Sequence, residues 1–167
     1  MIGGPNGAGK TTASMVLLPK FLEVFEFVNA DEIARGLNPV KPETAQVSAG
    51  RVMIERIKDL IEAKKNFAFE TTCAGQHHLE TLKACREAGY HTKLVFYWLP
   101  SADMAVQRVK YRVQQGGHDI PEITIRRRYA AGLKNLIRNY LPCVETALIL
   151  DSSNMLTGDE GQIIAEK

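Results

Sequence analysis

The stretch Gly4–Thr11, GPNGAGKT, fits the spacing G-x-x-x-x-G-K-[ST], with Gly4, Gly9, Lys10 and Thr11 at its fixed positions. The glycines let the backbone curl until successive N–H groups, from Asn6, Gly7, Ala8 and Gly9 onward, aim at phosphate oxygens. A helix beginning at Lys10 adds the positive end of its dipole. The Lys10 ammonium suits the β- and γ-phosphates, and the Thr11 hydroxyl suits Mg²⁺, with Thr12 following in the first turn. A nucleoside triphosphate site, with ATP and Mg²⁺ as its cofactors, is the expectation.

Two carboxylates stand where such a site could use a base. FVNADE puts Asp31 just past a strand at Phe25 to Asn29, on the carboxyl edge where ligands bind in open α/β sheets. There a carboxylate can take the proton of an acceptor hydroxyl during phosphoryl transfer, although capping the next helix is the alternative role. Glu70 ends NFAFETT, with the hydroxyls of Thr71 and Thr72 behind it. Motor and transporter ATPases carry an apolar strand ending in Asp or Asp-Glu. VFYWLPS has no such carboxylate, and Asp151 in ALILDSS comes late in the chain.

Arginines supply countercharge. Arg108 and Arg112 are four apart on a helix whose core face is Ala102, Ala105, Val106, Val109 and Val113, so they share one flank. GGHDIPE leads to IRRRY, where successive helical residues point about 100° apart and cannot all reach one phosphate. Arg126 shares a face with Tyr129, Leu133 and Tyr140, while Arg127 and Arg128 align with polar Lys134, Asn135 and Arg138. The pattern reads as an arginine-bearing helical lid over residues 112–130, closing on ATP and delivering Arg112, Arg127 or Arg128 to the phosphates.

The elements that must position these residues alternate along the chain. Strands are predicted at Phe25 to Asn29, Asn66 to Thr72, Thr92 to Leu99 and Thr146 to Asp151. Helices are predicted at Lys10 to Leu18 (ended by Pro19), Pro42 to Lys64, Gln76 to Ala88, Ser101 to Gln115 and Pro121 to Tyr140. The second carries Ala45, Ala49, Val52, Met53, Ile57, Leu60 and Ile61 at helical spacing. Such alternation implies an α/β fold, a three-layer P-loop NTPase sandwich with a mainly parallel sheet flanked by helices. Only Met1 to Gly3 precede the loop, so its supporting strand is a stub or starts upstream. The length of 167 residues suits one domain, residues 1–167, and a net charge of +2 is too small to argue for nucleic acid or membrane as partner. With three cysteines in no ligand spacing and no apolar run near 18 residues, the expected compartment is the cytoplasm.

GGPNGAGKTT, FVNADEIARGLNP, AGRVMIERI, FAFETT and GGHDIPEITIRRRY together resemble the zeta toxin family of P-loop kinases, most closely its short branch, described as predicted ABC-type ATPases. The resemblance runs from Gly3 to about Ser153. It implies an ATP-dependent phosphotransferase whose acceptor is a sugar hydroxyl of UDP-N-acetylglucosamine, with an antitoxin as partner. By the same resemblance Lys10 and Thr11 are the phosphate and Mg²⁺ ligands and Asp31 the base. Arg51 and Glu70 lie on the acceptor side, and Arg112 with one arginine of the Arg126–Arg128 run forms the lid. Ile54 and Ala74 stand where the toxins carry a glutamate and an arginine, a departure confined to the acceptor side. His77 and His78, at a helix start, read as solvated, as do His118 and Asp119, for which shaping the lid hinge is the alternative role. The other functional classes consistent with the residues are an ATP-binding regulatory module and a kinase of nucleic-acid ends.

Overall fold

The computed structural model describes residues 1–21, 24–154 and 162–167. In chain order the elements are β1 (Ile2–Gly3), α1 (Lys10–Phe21), β2 (Glu26–Val28), α2 (Ala30–Leu37), a 3-10 turn (Pro42–Ala45) and α3 (Gln46–Glu62). There follow β3 (Phe67–Thr71), α4 (His77–Glu87), β4 (Lys93–Trp98), α5 (Ala102–Gln114), α6 (Glu122–Asn135), a π turn (Leu136–Tyr140), α7 (Leu141–Cys143), β5 (Thr146–Asp151) and β6 (Gln162–Glu166). This is the expected α/β fold of mainly parallel strands alternating with helices. Backbone contacts group it into two compact units, Met1–Ser14 with Thr71–Lys167, and Met15–Glu70.

In the first unit β4 pairs in parallel with β1, Ile2 opposite Val95, and with β5, Lys93 to Trp98 opposite Thr146 to Asp151. Leu94, Phe96, Tyr97 and Leu99 are at most 2% exposed, which explains the continuous apolar run at β4. Antiparallel β6 extends this set beyond β5. It went unpredicted because its exposed residues carry no alternating burial pattern. Ser101, at the predicted start of this helix, caps α5, its Oγ accepting from the Met104 N–H at 3.1 Å. Gly89 and Gly116 take φ of +85° and +81° just past the helices they end.

In the second unit β2 and β3 run parallel with Val28 opposite Phe69. Ala49, Met53, Ile57 and Leu60 are the buried stripe of α3, spaced three and four apart. Val52, expected in that stripe, is 40% exposed, because the fourth-residue rhythm from Ala49 runs through Met53 instead. Pro19 does not end α1, which continues to Phe21. At the last turn its missing N–H forfeits a single ladder bond, and the Leu18 carbonyl is met by the Val24 N–H at 3.0 Å.

Candidate active site

The phosphate loop is built by three glycines in conformations that side chains avoid. Gly4 has φ +142°, and a Cβ there would stand 2.4 Å from the Tyr97 carbonyl oxygen. Gly7 has φ +80°, with the Ala105 carbonyl 2.9 Å and the Arg108 Cβ 3.0 Å from the corresponding point. Gly9 has φ +79° and open space around it. The first two glycines are therefore set by crowding as well as conformation, the third by conformation alone. Lys10 is 6% exposed, and its Nζ donates to the Pro5 carbonyl at 3.0 Å, folding the ammonium back over the loop. Asn6 is 6% exposed and its Oδ1 accepts no hydrogen bond among the described residues.

Arg108 is the buried arginine of the predicted pair, 8% exposed, with its stem against Gly7. Its Nη2 donates to the Ser153 carbonyl at 2.5 Å, and its Nη1 has no partner among the described residues. Burial lowers its pKa, and nearby Asp151 partly offsets that. Arg112 turns towards the following loop, its Nη2 donating to the His118 carbonyl at 2.6 Å. Gly117 packs on it, since a Cβ there would meet Arg112 Cγ at 2.5 Å. Of the three successive arginines, Arg126 is the one held in ion pairs among the described residues. Exposed, it bridges Asp103 at 2.7 Å and Glu122 at 2.8 Å, joining α6 to α5. Arg127 is exposed and Arg128 half-buried, and neither makes an ion pair among the described residues.

The segment after β3 is held by the predicted site residue Thr71 and by groups for which the sequence indicated no such role. Thr71 Oγ1 accepts from the Cys73 N–H at 3.0 Å, and Cys73 takes φ +57°. Asn135 Nδ2 donates to the carbonyls of Cys73 and Ala74, both at 3.0 Å, and Tyr140 Oη to that of Gly75 at 2.6 Å. Gly132 admits the Thr72 carbonyl to 2.6 Å from its absent Cβ. Asn135 thus lies inward at 8% exposure, not on the polar side with Arg138. Its partners are some sixty residues away, which no helical periodicity can report. Burial raises the Cys73 thiol to about 12 despite the nearby Lys10 charge. His78 also departs from expectation: it is 3% exposed, and burial followed by the neighbouring His77 depresses its pKa to about 3.

In the second unit the parallel register sets the residues after Val28 and Phe69 side by side. Asn29 Nδ2 donates to Glu70 Oε2 at 2.9 Å. Its Oδ1 accepts from the N–H groups of Asp31 at 2.9 Å and Glu32 at 3.4 Å. Asn29, not Asp31, is therefore the cap of α2, and the Asp31 carboxylate stands exposed in the first turn. Arg51 is exposed on α3. The predicted residues thus gather in two sets: the phosphate loop with Arg108 in one unit, and Asp31 and Glu70 through Asn29 in the other.

The cradle fits a nucleotide phosphate chain: glycine turns, a helix start, a buried ammonium and a buried amide oxygen without a partner among the described residues. No group of three or more His, Cys, Asp and Glu side chains that could hold a metal occurs among the described residues. Fold and loop together define a P-loop nucleotide-binding protein of the kinase-like α/β type. The chain belongs to the AAA domain family, whose profile matches residues 1–131. An uncharacterized protein of Haemophilus influenzae is 31% identical over 128 residues, 75% of this chain and 88% of that protein. The solved PezAT toxin-antitoxin system of Streptococcus pneumoniae is similar in fold, with TM-score 0.69 and 16% identity, over 99% of this chain and 69% of that one. AvrRxo1-ORF1:-ORF2 with ATP gives TM-score 0.71 and 15% identity over 99% of this chain, which spans 56% of that one. Shikimate kinase from Acinetobacter baumannii, in complex with shikimate, gives 0.54 and 16% over 94% and 87%. No helix among the described residues is long and apolar enough to cross a membrane.

Proposed function

We propose that the protein is an ATP-dependent phosphotransferase of zeta-toxin type, moving the γ-phosphoryl group of ATP to a hydroxyl of a small molecule, a sugar nucleotide such as UDP-N-acetylglucosamine. The observation that carries this reading is the phosphate loop from Gly4 to Thr11, with Lys10 buried over it. Asp31 and Glu70, held through one amide, favour transfer to a bound hydroxyl over a switch ATPase. Asp31 accepts the hydroxyl proton as the acceptor oxygen bonds to the γ-phosphorus, and the bond from phosphorus to the bridging oxygen breaks to release ADP. Mg²⁺, when bound through Thr11, neutralises phosphate charge. Lys10 and the lid arginines Arg112 and Arg128 meet the charge that develops, with Arg108 and Arg127 on the nucleotide. Arg51, Glu70, Thr71 and Thr72 bind the acceptor. The toxin-antitoxin neighbour supports an antitoxin as partner.

A second reading, an ATP-binding module that transfers nothing, is favoured by Ile54 and Ala74 at the two acceptor-side positions. Incubation with ATP, Mg²⁺ and UDP-N-acetylglucosamine, followed by phosphorus NMR, separates the two. The kinase reading expects a sugar-phosphate resonance in wild type that drops by several orders of magnitude in Asp31→Asn while ATP binding persists. Equal turnover by Asp31→Asn removes that residue from the base role. ATP binding without any new resonance shifts the conclusion to a different acceptor or to the module.

A further inference from the structure

We infer that Asn29 is a positioning residue for this site, one amide that sets both the turn carrying Asp31 and the carboxylate of Glu70. The inference rests on the proposed roles of those two carboxylates. Three bonds fix which way the amide faces: its oxygen takes the N–H groups of Asp31 and Glu32, leaving only the NH₂ for Glu70. Asn29 is 6% exposed, so the arrangement is shielded from competing water. The register brings these residues together because Val28 pairs with Phe69 and the next residue of each strand then projects at the same edge. An N-cap alone would not need an amide, since Asp and Ser cap as well. What asparagine adds is a donor, and the structure uses it on Glu70. Charged residues on the neighbouring elements include Asp31 and Arg51, both exposed, Glu32, paired with Arg35, and Glu26, paired with Arg56.

Asn29→Asp separates the two jobs, because aspartate keeps the cap acceptor and replaces the donor with a second carboxylate facing Glu70. Two carboxyl groups in hydrogen-bond contact cannot both ionise at ordinary pH, so one holds a proton well above the usual carboxylate range. In protein labelled at side-chain carboxyl carbons, carbon NMR is expected to show one new carboxyl in Asn29→Asp titrating above about pH 6. That signal is expected to vanish in Asn29→Asp with Glu70→Gln. The melting temperature should stay near wild type, since the cap survives. Phosphoryl transfer to UDP-N-acetylglucosamine is expected to fall about 100-fold in kcat/KM near pH 8. It recovers towards pH 6, where the shared proton supplies the missing donor. Wild-type kcat/KM for Asn29→Asp across the pH range, or no raised carboxyl, overturns the inference. The titration needs no turnover. A wild type that leaves UDP-N-acetylglucosamine untouched counts against the proposed acceptor, and the titration then decides the inference by itself.

Discussion

Replacing Gly4 by alanine should unfold this protein far more readily than replacing Gly9, although both glycines sit in the same loop at positive φ. At Gly9 a Cβ meets nothing within 4 Å, so alanine suffers only the backbone conformation at φ +79°. That costs about 1–2 kcal/mol. At Gly4, φ +142° is a region open essentially to glycine, worth about 1–3 kcal/mol. The added methyl also stands 2.4 Å from the Tyr97 carbonyl oxygen, where contacts under 3.0 Å are essentially never tolerated. That carbonyl belongs to β4, paired with β1 on one side and β5 on the other, so it cannot retreat without bending three strands. Overpacking of this kind adds about 1–3 kcal/mol. The sum for Gly4→Ala is on the order of 4 kcal/mol, a large part of a domain's stability. Urea unfolding followed by circular dichroism measures it. With a slope of about 2 kcal/mol/M, the midpoint falls by about 2 M for Gly4→Ala and by less than about 1 M for Gly9→Ala. Equal midpoints for the two variants would refute the argument that the Tyr97 carbonyl dictates glycine here.

Lys10→Ala, which removes the buried bond to the Pro5 carbonyl, should fail to bind ATP in calorimetry while circular dichroism still reports the fold; unchanged affinity would remove Lys10 from the phosphates. His78 offers a pH test. Burial depresses its folded pKa to about 3 from the ordinary 6.5, so the neutral ring contributes stability that is complete above 6.5. The contribution is lost as pH falls through that window, at up to about 1.4 kcal/mol per unit. Stability curves at several pH values should therefore be flatter for His78→Leu than for wild type, and parallel curves would exclude His78 as the cause of acid sensitivity.

The local devices were readable in advance because their partners are neighbours in the chain. The Ser101 cap, the helix start at Lys10 and the glycine stops at Gly89 and Gly116 each depend on residues within one turn. The strand runs were readable because a strand flanked on both faces must be apolar throughout, as Leu94 to Trp98 is. Harder were choices between near-equivalent neighbours. In FVNADE both Asn29 and Asp31 can cap a helix, and what selects Asn29 is that β3 brings Glu70 to its amide. Among Arg126, Arg127 and Arg128 the sequence set the first on a different face and left open which one reaches the phosphates. Asp103, on another helix, takes the first of them out of contention.

The sequence by itself determined that this chain curls a glycine loop into a helix bearing Lys10, because those conformations and that charge are properties of the residues themselves. It also determined the α/β alternation, since burial writes its period into each segment. Only the tertiary structure decided that Arg108 packs behind the loop on Gly7, that Asn135 and Tyr140 hold the segment after β3, and that Asn29 joins Asp31 to Glu70. Those are contacts between residues roughly forty to a hundred positions apart. A hydrogen bond requires donor and acceptor within about 3 Å. Separation along the chain says nothing about which polar group will arrive there.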